Sequence, residues 1–172
     1  MNGNASQTTS TPQRRLAVVH WFPLEQFPPV QNLLHVAAAD QALQICCLTT
    51  ANDRGQRAFS AGNVQILRRP FPSKNRGRLT RLWLLLSFSW WSLIHLLRYR
   101  PDALLYFEPH SSFAAFLYLL LNHRCRLLIH YHEYREPREY SDPGNRLFGL
   151  YHWQERRFLY SKAVWISQTN VD

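Results

Sequence analysis

Six short apolar runs alternate with longer helix-forming segments along the chain, and this alternation restricts the fold more than any other feature. Several runs are apolar at consecutive positions, so both faces of the corresponding strands must be covered. Such strands, separated by helices, are typical of a parallel sheet between helical layers. The sequence therefore predicts one open, doubly wound α/β domain. The predicted strands are Leu16–Val19, Leu43–Leu48, Val64–Leu67, Ala103–Phe107, Arg126–Tyr131 and Ala163–Ser167.

Four helices are predicted between these strands. Val30–Asp40 has apolar residues at the i, i+3, i+4, i+7 spacing of a helix. Arg78–Arg100 contains no helix-breaking residue and is followed by Pro101, which ends it. Ser111–Asn122 is strongly apolar, and the last helix, capped by Asn145, is predicted to end near residue 161.

The first residues and the cysteines favour a cytoplasmic location. Residues 1–15 are polar and lack the apolar stretch of a signal peptide, so we expect a disordered lead before a domain at residues 16–172. Cys46, Cys47 and Cys125 are odd in number and have neither a disulfide framework nor a zinc-site spacing. They are expected to be small core residues in a reducing compartment.

Polar and aromatic residues follow the carboxyl ends of four predicted strands. These ends meet at one edge of a doubly wound sheet, close to the point where the strand order reverses, and ligands bind there. The alternative is that polar residues occur there simply because the chain leaves the core. The residues are His20 and Trp21, Glu108 to His110, His132 to Tyr134, and Ser167 to Asn170.

His132 and Glu133 are the most informative pair in this group. An imidazole can donate or accept a proton and can bind a sugar hydroxyl or a transferring phosphate. In an extended chain Glu133 would point to the opposite side, so a direct dyad is not implied. His130 shares a face with His132, but no third ligand has a suitable spacing, and we expect no metal site.

The sequence excludes several common enzyme classes. It has six glycines and contains neither phosphate-binding loop, G-x-G-x-x-G or G-x-x-x-x-G-K-[ST]. It also lacks the G-x-S-x-G turn of α/β-hydrolases. A dinucleotide-dependent dehydrogenase, a P-loop ATPase and an α/β-hydrolase are therefore not expected.

The predicted helix Arg78–Arg100 has an apolar middle and basic ends. The sixteen residues Leu82–Leu97 would span about 24 Å, less than the roughly 30 Å of a bilayer core. Two interpretations remain: a buried crossover helix, or a helix that lies on an anionic membrane surface. The tryptophans and arginines favour membrane contact. The residues expected there are Arg78, Arg81, Trp83, Trp90, Trp91 and Arg98.

The formal net charge of +9 also raises nucleic acid as a partner. The basic residues bracket an apolar segment, however, and do not line an open polar face. No recognition helix or RNA-binding motif is evident, so we expect no nucleic-acid binding.

Three blocks of the sequence resemble a known family. They are Arg100–His110, the helix Ser111–Leu121, and Leu127–Glu133. Together they look like the N-terminal half of the GT-B glycosyltransferases, family 4 in particular, and the ending Ala163–Asn170 resembles the segment that closes that domain. The resemblance covers about residues 16 to 170 and implies a Rossmann-like sheet that forms one half of a GT-B fold.

The resemblance implies roles for particular residues. In such enzymes the N-terminal domain binds the acceptor, and the C-terminal domain binds the nucleotide-sugar donor. His132 matches a histidine beside the transferring sugar and is the expected catalytic residue, whereas Glu108, His110 and Glu133 would hold acceptor hydroxyls. Relatives usually need no metal or other cofactor, and many act on lipid-linked or glycan acceptors at the inner face of a membrane.

Two departures from the family pattern limit what this chain can do alone. The turn His20–Pro29 has no glycine, and the donor-binding E-x7-E motif has no counterpart. We therefore expect the isolated chain to be inactive until a donor-binding domain completes it. The alternatives are an acceptor subunit that docks with a separate donor-binding chain, and a non-catalytic scaffold at a membrane surface.

Overall fold

The computed structural model describes residues 13–51, 59–70, 77–132 and 146–168. Within these residues, six strands form one parallel sheet in the order β3-β2-β1-β4-β5-β6, flanked by helices on both faces. The predicted doubly wound α/β fold is confirmed. The strands are β1 (Arg14–Pro23), β2 (Leu43–Thr50), β3 (Val64–Arg69), β4 (Ala103–Phe107), β5 (Arg126–Tyr131) and β6 (Ala163–Gln168). The helices are α1 (Pro28–Ala38), α2 (Arg78–Tyr99), α3 (Pro109–Leu121) and α4 (Arg146–Phe158), with short 3-10 helices at Leu24–Gln26 and Tyr160–Lys162.

The strand order reverses between β1 and β4. From β1 the chain winds outward through β2 to β3, and α2 then returns it to β4, from where it winds the other way to β5 and β6. The helices that follow β1 and β4, α1 and α3, pack on opposite faces of the sheet. In open α/β sheets ligands bind at such a reversal, at the carboxyl ends of the two strands, and this place is called the crevice below.

Alternate residues of the inner strands belong to two separate cores, whereas Val164, Trp165 and Ile166 of the edge strand β6 are exposed. In β1, Ala17 and Val19 are fully buried towards α2, α3 and α4, whereas Leu16 and Val18 are buried towards α1. This two-sided burial explains why the strands are apolar at consecutive positions. The three cysteines are free and buried, as predicted.

The crossover helix α2 confirms the predicted helix and its end. Phe88 and Leu96 on its inner face are almost fully buried in the core. The helix ends at Tyr99, because Arg100 adopts a left-handed conformation (φ 53°, ψ 63°) and donates its N–H to the carbonyl of Leu96 at 2.8 Å. Pro101 then prevents any continuation.

Asp102 joins the starts of three neighbouring strands at the amino edge of the sheet. Its carboxylate accepts the backbone N–H of Arg15 at 2.8 Å, and its own N–H donates to the carbonyl of Arg15 at 2.9 Å. Its carbonyl accepts the N–H of Arg126 at 3.0 Å. Because Arg15 lies in β1 and Arg126 begins β5, this residue fixes both strands against β4.

Several predicted boundaries differ from the structure by a few residues, among them the starts of β1, α1 and α3. β1 begins at Arg14, so Arg14 and Arg15 belong to the sheet and not to a disordered lead; the N–H of Arg14 donates to the carbonyl of Ala42 at 3.0 Å. α1 and α3 begin at Pro28 and Pro109, two residues earlier than predicted. Proline is tolerated there because the N–H groups of a first helical turn have no intrahelical partner. Residues 1–12 and Asn145 lie outside the described residues.

Replacement of Leu104 by alanine should destabilise the domain strongly. Leu104 is 0 % exposed in β4, and removal of a buried leucine side chain costs about 3 kcal/mol of unfolding free energy. Leu79→Ala is the control: its side chain is 83 % exposed, so the change should stay below about 0.5 kcal/mol. Urea denaturation measures both. Equal losses in the two variants would contradict this placement of the core.

Candidate functional site

The candidate site lies at the carboxyl ends of β1, β4 and β5. His20, Phe107 and His130 are lateral neighbours there, because His20 pairs with Phe107 and Phe107 pairs with His130 in the parallel register. Glu108 and His132 follow directly on their strands. The structure therefore brings three of the four predicted strand ends together around the reversal of strand order, and Ser167 of the fourth, at the end of β6, pairs with His130 at the same edge.

His20 is the buried centre of this edge. It is 1 % exposed, and its ring contacts Phe27 and Phe107 edge-on, with centroids 4.7 and 5.6 Å apart. Neither ring nitrogen has a hydrogen-bond partner among the described residues. Burial, together with the nearby His110 and His132, lowers the pKa of His20 to about 3. His20 is therefore a buried, neutral residue beneath the site and is not exposed to a ligand.

The last residues of β1 are held in place by the end of β2. The Thr49 hydroxyl donates to the carbonyl of Phe22 at 2.6 Å, and the Thr50 hydroxyl donates to the carbonyl of Trp21 at 2.9 Å. The backbone N–H of Trp21 in turn donates to the Ser111 hydroxyl at 3.0 Å. The end of β1 is therefore fixed on both sides, from β2 and from α3.

The start of α1 is unsuited to binding a phosphate. Its first two residues, Pro28 and Pro29, have no N–H groups, which are the donors that hold an anion at a helix N-terminus. Glu25 in the preceding turn forms an ion pair with Arg68. The turn His20–Pro29, which has no glycine, therefore also lacks the backbone N–H donors that would bind a phosphate at the start of α1.

Glu108 connects the end of β4 to the end of β5. Its backbone has φ 64° and ψ 153°, a conformation that costs a non-glycine residue about 1–3 kcal/mol. Its carboxylate Oε1 accepts the backbone N–H of His132 at 2.7 Å, and its own N–H donates to the carbonyl of His130 at 3.2 Å. These bonds offset the strain and anchor the segment that carries His132.

His110 is the second residue of α3 and is half-buried. Its ring lies edge-on to Phe22, with centroids 5.2 Å apart, and packs on Phe148 of α4 at 4.2 Å. The imidazole is therefore fixed between the end of β1 and the last helix. This position is beside the crevice, as the sequence predicted.

His132 is half-buried directly after β5, and its ring centroid lies 6.4 Å from that of Phe27. The neighbouring His130 is buried, and its Nδ1 is 2.7 Å from the Ser167 hydroxyl. Burial and the proximity of His132 lower the pKa of His130. Glu133, a predicted site residue, lies outside the described residues, as do residues 169–172.

The arrangement combines imidazole groups and one carboxylate with aromatic walls. Imidazoles can exchange hydrogen bonds with hydroxyl groups, and they can transfer protons when correctly placed. Phenylalanine rings offer apolar faces. In the part of the chain that the structure describes, no group of three histidine, cysteine or carboxylate side chains is placed to hold a metal ion. These groups can bind hydroxyl groups and the apolar face of a ligand.

The outer side of α2 carries an exposed apolar stripe. Its members are Leu79, Trp83, Leu86, Trp90 and Leu97. Arg81 and Arg98 are exposed on the same helix, as predicted, whereas the side chain of Arg78 lies outside the described residues. Trp91 differs: it is half-buried against the core, with its ring 5.8 Å from Phe88 and 4.6 Å from His95. None of the described helices is long and apolar enough to cross a membrane.

Two features of the structure are not predicted from the sequence: the phenylalanines that line the site, and a buried polar pair in α4. Phe22, Phe27 and Phe107 line the site, but isolated phenylalanines near strand ends give no signal that separates them from core residues. Glu155 is fully buried with its Oε2 3.4 Å from Nδ1 of His152, and burial raises the pKa of Glu155. The i, i+3 spacing of this pair in α4 was the available signal.

Comparison with solved structures identifies the fold. Sucrose-phosphate synthase from Thermosynechococcus elongatus matches 90% of this chain with a TM-score of 0.57 and 10% identity. Acinetobacter baumannii MurG matches 92% with a TM-score of 0.54 and 14% identity. The chain spans about half the length of these proteins, 47% and 42% respectively. No protein-family model and no curated protein sequence matches it.

The chain has the Rossmann-like fold of a GT-B half-domain. A second sucrose-phosphate synthase structure, from the same organism, is matched over nearly its whole length. The match covers 92% of this chain and 90% of that chain, with a TM-score of 0.55 and 12% identity. The predicted resemblance to GT-B glycosyltransferases is therefore confirmed at the level of the fold.

Replacement of His20 by phenylalanine should make folding less sensitive to acid. The pKa of His20 is about 3 in the folded chain and 6.5 when unperturbed, so below pH 6.5 the unfolded chain gains a proton that the folded chain excludes. This proton uptake favours unfolding as the pH falls. Between about pH 7 and pH 4.5 the wild type should lose about 2 kcal/mol more stability than His20→Phe.

The control for this prediction is His123→Phe, because His123 is exposed. Urea denaturation at the two pH values measures the free energies of unfolding. If His20→Phe and the wild type lose equal stability on acidification, His20 is not a buried neutral group.

Proposed function

We propose that this chain is the acceptor-binding half of a glycosyltransferase, similar to the N-terminal domain of family 4 enzymes. The complete enzyme would transfer a sugar from a nucleotide-sugar to a glycan, glycolipid or protein acceptor. The observation that carries the proposal is the group formed by His110, His132 and Glu108 at the reversal of strand order, in a fold shared with glycosyltransferases. The donor would be bound by a second domain or by a separate chain.

The chemistry of the crevice supports an acceptor more than a donor. A nucleotide-sugar carries a diphosphate, but Pro28 and Pro29 remove the N–H donors at the start of α1. Glu108 adds a carboxylate at the start of α3, where an anion would otherwise be favoured. A sugar, by contrast, offers hydroxyl groups to imidazoles and an apolar face to aromatic rings.

His132 is the proposed catalytic residue. Its half-buried imidazole would orient the acceptor or polarise groups at the reacting centre, and the bond from Glu108 to its backbone would keep it in place. His110 and Glu133 would hold acceptor hydroxyls. Glu108, expected from the sequence to do the same, acts in this proposal chiefly by positioning His132.

Membrane contact through α2 is the second part of the proposal. Trp83 and Trp90 are 63 % and 61 % exposed on one stripe of the helix, although the opposite side is in the core. Tryptophan favours the bilayer interface, and nearby arginines attract anionic lipid. The helix would lie on the inner face of a membrane and bring the crevice close to a lipid-linked acceptor.

The crevice should bind saccharides and not nucleotide-sugars. On an array of bacterial and plant glycans, labelled wild-type chain should bind selected saccharides, and His110→Ala and His132→Ala should weaken binding about tenfold or more, because each removes a hydrogen-bonding group. His123→Ala, at an exposed position outside the crevice, should bind like the wild type. A nucleotide-sugar at millimolar concentration that raises the melting temperature by several degrees would contradict the proposal.

The α2 stripe should determine vesicle binding. Flotation with phosphatidylcholine–phosphatidylglycerol vesicles should recover the wild type, whereas Trp83→Ser combined with Trp90→Ser should reduce recovery several-fold, since both side chains lose apolar contact with the interface. Trp165→Ser, which changes a tryptophan 46 % exposed on β6, is the matched control and should leave recovery unchanged. Recovery reduced equally by the control would overturn the membrane role of α2.

A further inference from the structure

A cavity of about 770 Å³ opens at the amino edge of the sheet, opposite the crevice. It lies among the starts of β1, β2, β4 and β5 and the ends of the first three helices. Its volume is within the range of small-molecule sites. Its lining includes five arginines from three separate segments of the sequence, which the parallel strands bring together: Arg14, Arg15, Arg100, Arg124 and Arg126.

The two carboxylates in the lining leave most of this positive charge uncompensated. Asp40 forms an ion pair with Arg14 at 2.8 Å. Asp102 uses its Oδ2 to accept the backbone N–H of Arg15, so its hydrogen bond is made to the main chain and not to a guanidinium group. Five arginines against two aspartates give the lining a net formal charge of three positive units.

Three of the arginines have no side-chain partner among the described residues. Arg15 donates its guanidinium to the carbonyl of Tyr99 at 3.0 Å. For Arg100, Arg124 and Arg126, all exposed, the described ranges of the chain provide neither an ion pair nor a side-chain hydrogen bond. Their planar groups are therefore available to a ligand.

The partial negative charges at the helix C-termini offset only part of the positive charge of the arginines. α1, α2 and α3 all end at this edge, and the C-terminus of a helix is equivalent to about half a negative charge. Three such ends offset about 1.5 of the three positive units. The arginines therefore exceed what is needed to balance the helix dipoles, and the cavity retains a positive potential.

We propose that this amino-edge cavity binds a phosphate-bearing ligand, with Arg100, Arg124 and Arg126 as the binding residues. Arginine forms paired, charge-assisted hydrogen bonds with phosphate oxygens. The site lies at the opposite end of the strands from the crevice and does not depend on the proposed sugar transfer. Its ligand is either the headgroup of an anionic lipid or a soluble phosphate compound, since both present the same chemistry.

The probe for the site is inorganic pyrophosphate, titrated into the full chain by calorimetry. The test variant replaces Arg100, Arg124 and Arg126 by glutamine. The control variant replaces Arg156, Arg157 and Lys162 by glutamine, which removes the same charge from the exposed surface near the end of α4. Melting temperatures without ligand establish that both variants are folded. A second test uses single substitutions, with Arg126→Glu as the test variant and Arg157→Glu as its control.

Pyrophosphate should bind the wild type and the control variant equally, and the test variant should show a dissociation constant at least about tenfold higher. Arg126→Glu should weaken binding more than Arg157→Glu. Absence of pyrophosphate binding to the wild type, or equal weakening in both members of either pair, would overturn the proposal.

Vesicles distinguish the two sources of phosphate. If the test variant also loses binding to phosphatidylcholine–phosphatidylglycerol vesicles several-fold relative to the control variant, the ligand is a lipid headgroup. If only pyrophosphate binding is lost, the ligand is a soluble phosphate compound. Either result supports the site itself.

Discussion

The pairing of β1 with β2 on one side and with β4 on the other determines where this molecule can bind ligands. Because β1 is central, the strand order must reverse beside it, and the helices that follow β1 and β4 separate at their starts. The same pairing gathers residues that are distant in the sequence at both ends of the strands. His20, Phe107 and His130 align at the carboxyl edge, and Asp102 joins Arg15 to Arg126 at the amino edge.

The two edges have opposite chemistry. The carboxyl edge is aromatic, carries imidazoles and a carboxylate, and has no N–H donors at the start of α1. The amino edge has arginines in excess of its carboxylates and helix ends. Burial lowers the pKa of His20 to about 3 and keeps this residue neutral at the carboxyl edge. The two ligands proposed above, a hydroxyl-bearing one at the carboxyl edge and a phosphate at the amino edge, match this division.

The sequence predicted the fold well because burial on both faces of a strand leaves a clear pattern. β4 and β5 have the predicted bounds, and α2 ends where Pro101 requires it. The sites were harder to predict, because they depend on packing between distant segments. Glu108 has a positive φ, which a sequence usually signals by a glycine, and this position has none. Its hydrogen bond to the backbone of His132 also leaves no pattern in the sequence. The sequence predicts membrane contact for Trp91, but its position on the helix places its ring against the core.

Sugar transfer is the most direct test of the central claim that the crevice serves a glycosyltransferase. The chain would be combined with the donor-binding domain or chain that the proposal requires, and transfer of labelled sugar from a nucleotide-sugar to acceptor lipids and glycans would be measured. The account predicts transfer that requires this chain, with kcat reduced about a hundredfold in His132→Ala and unchanged in His123→Ala. Transfer that proceeds without the chain, or equally well with His132→Ala, would contradict it.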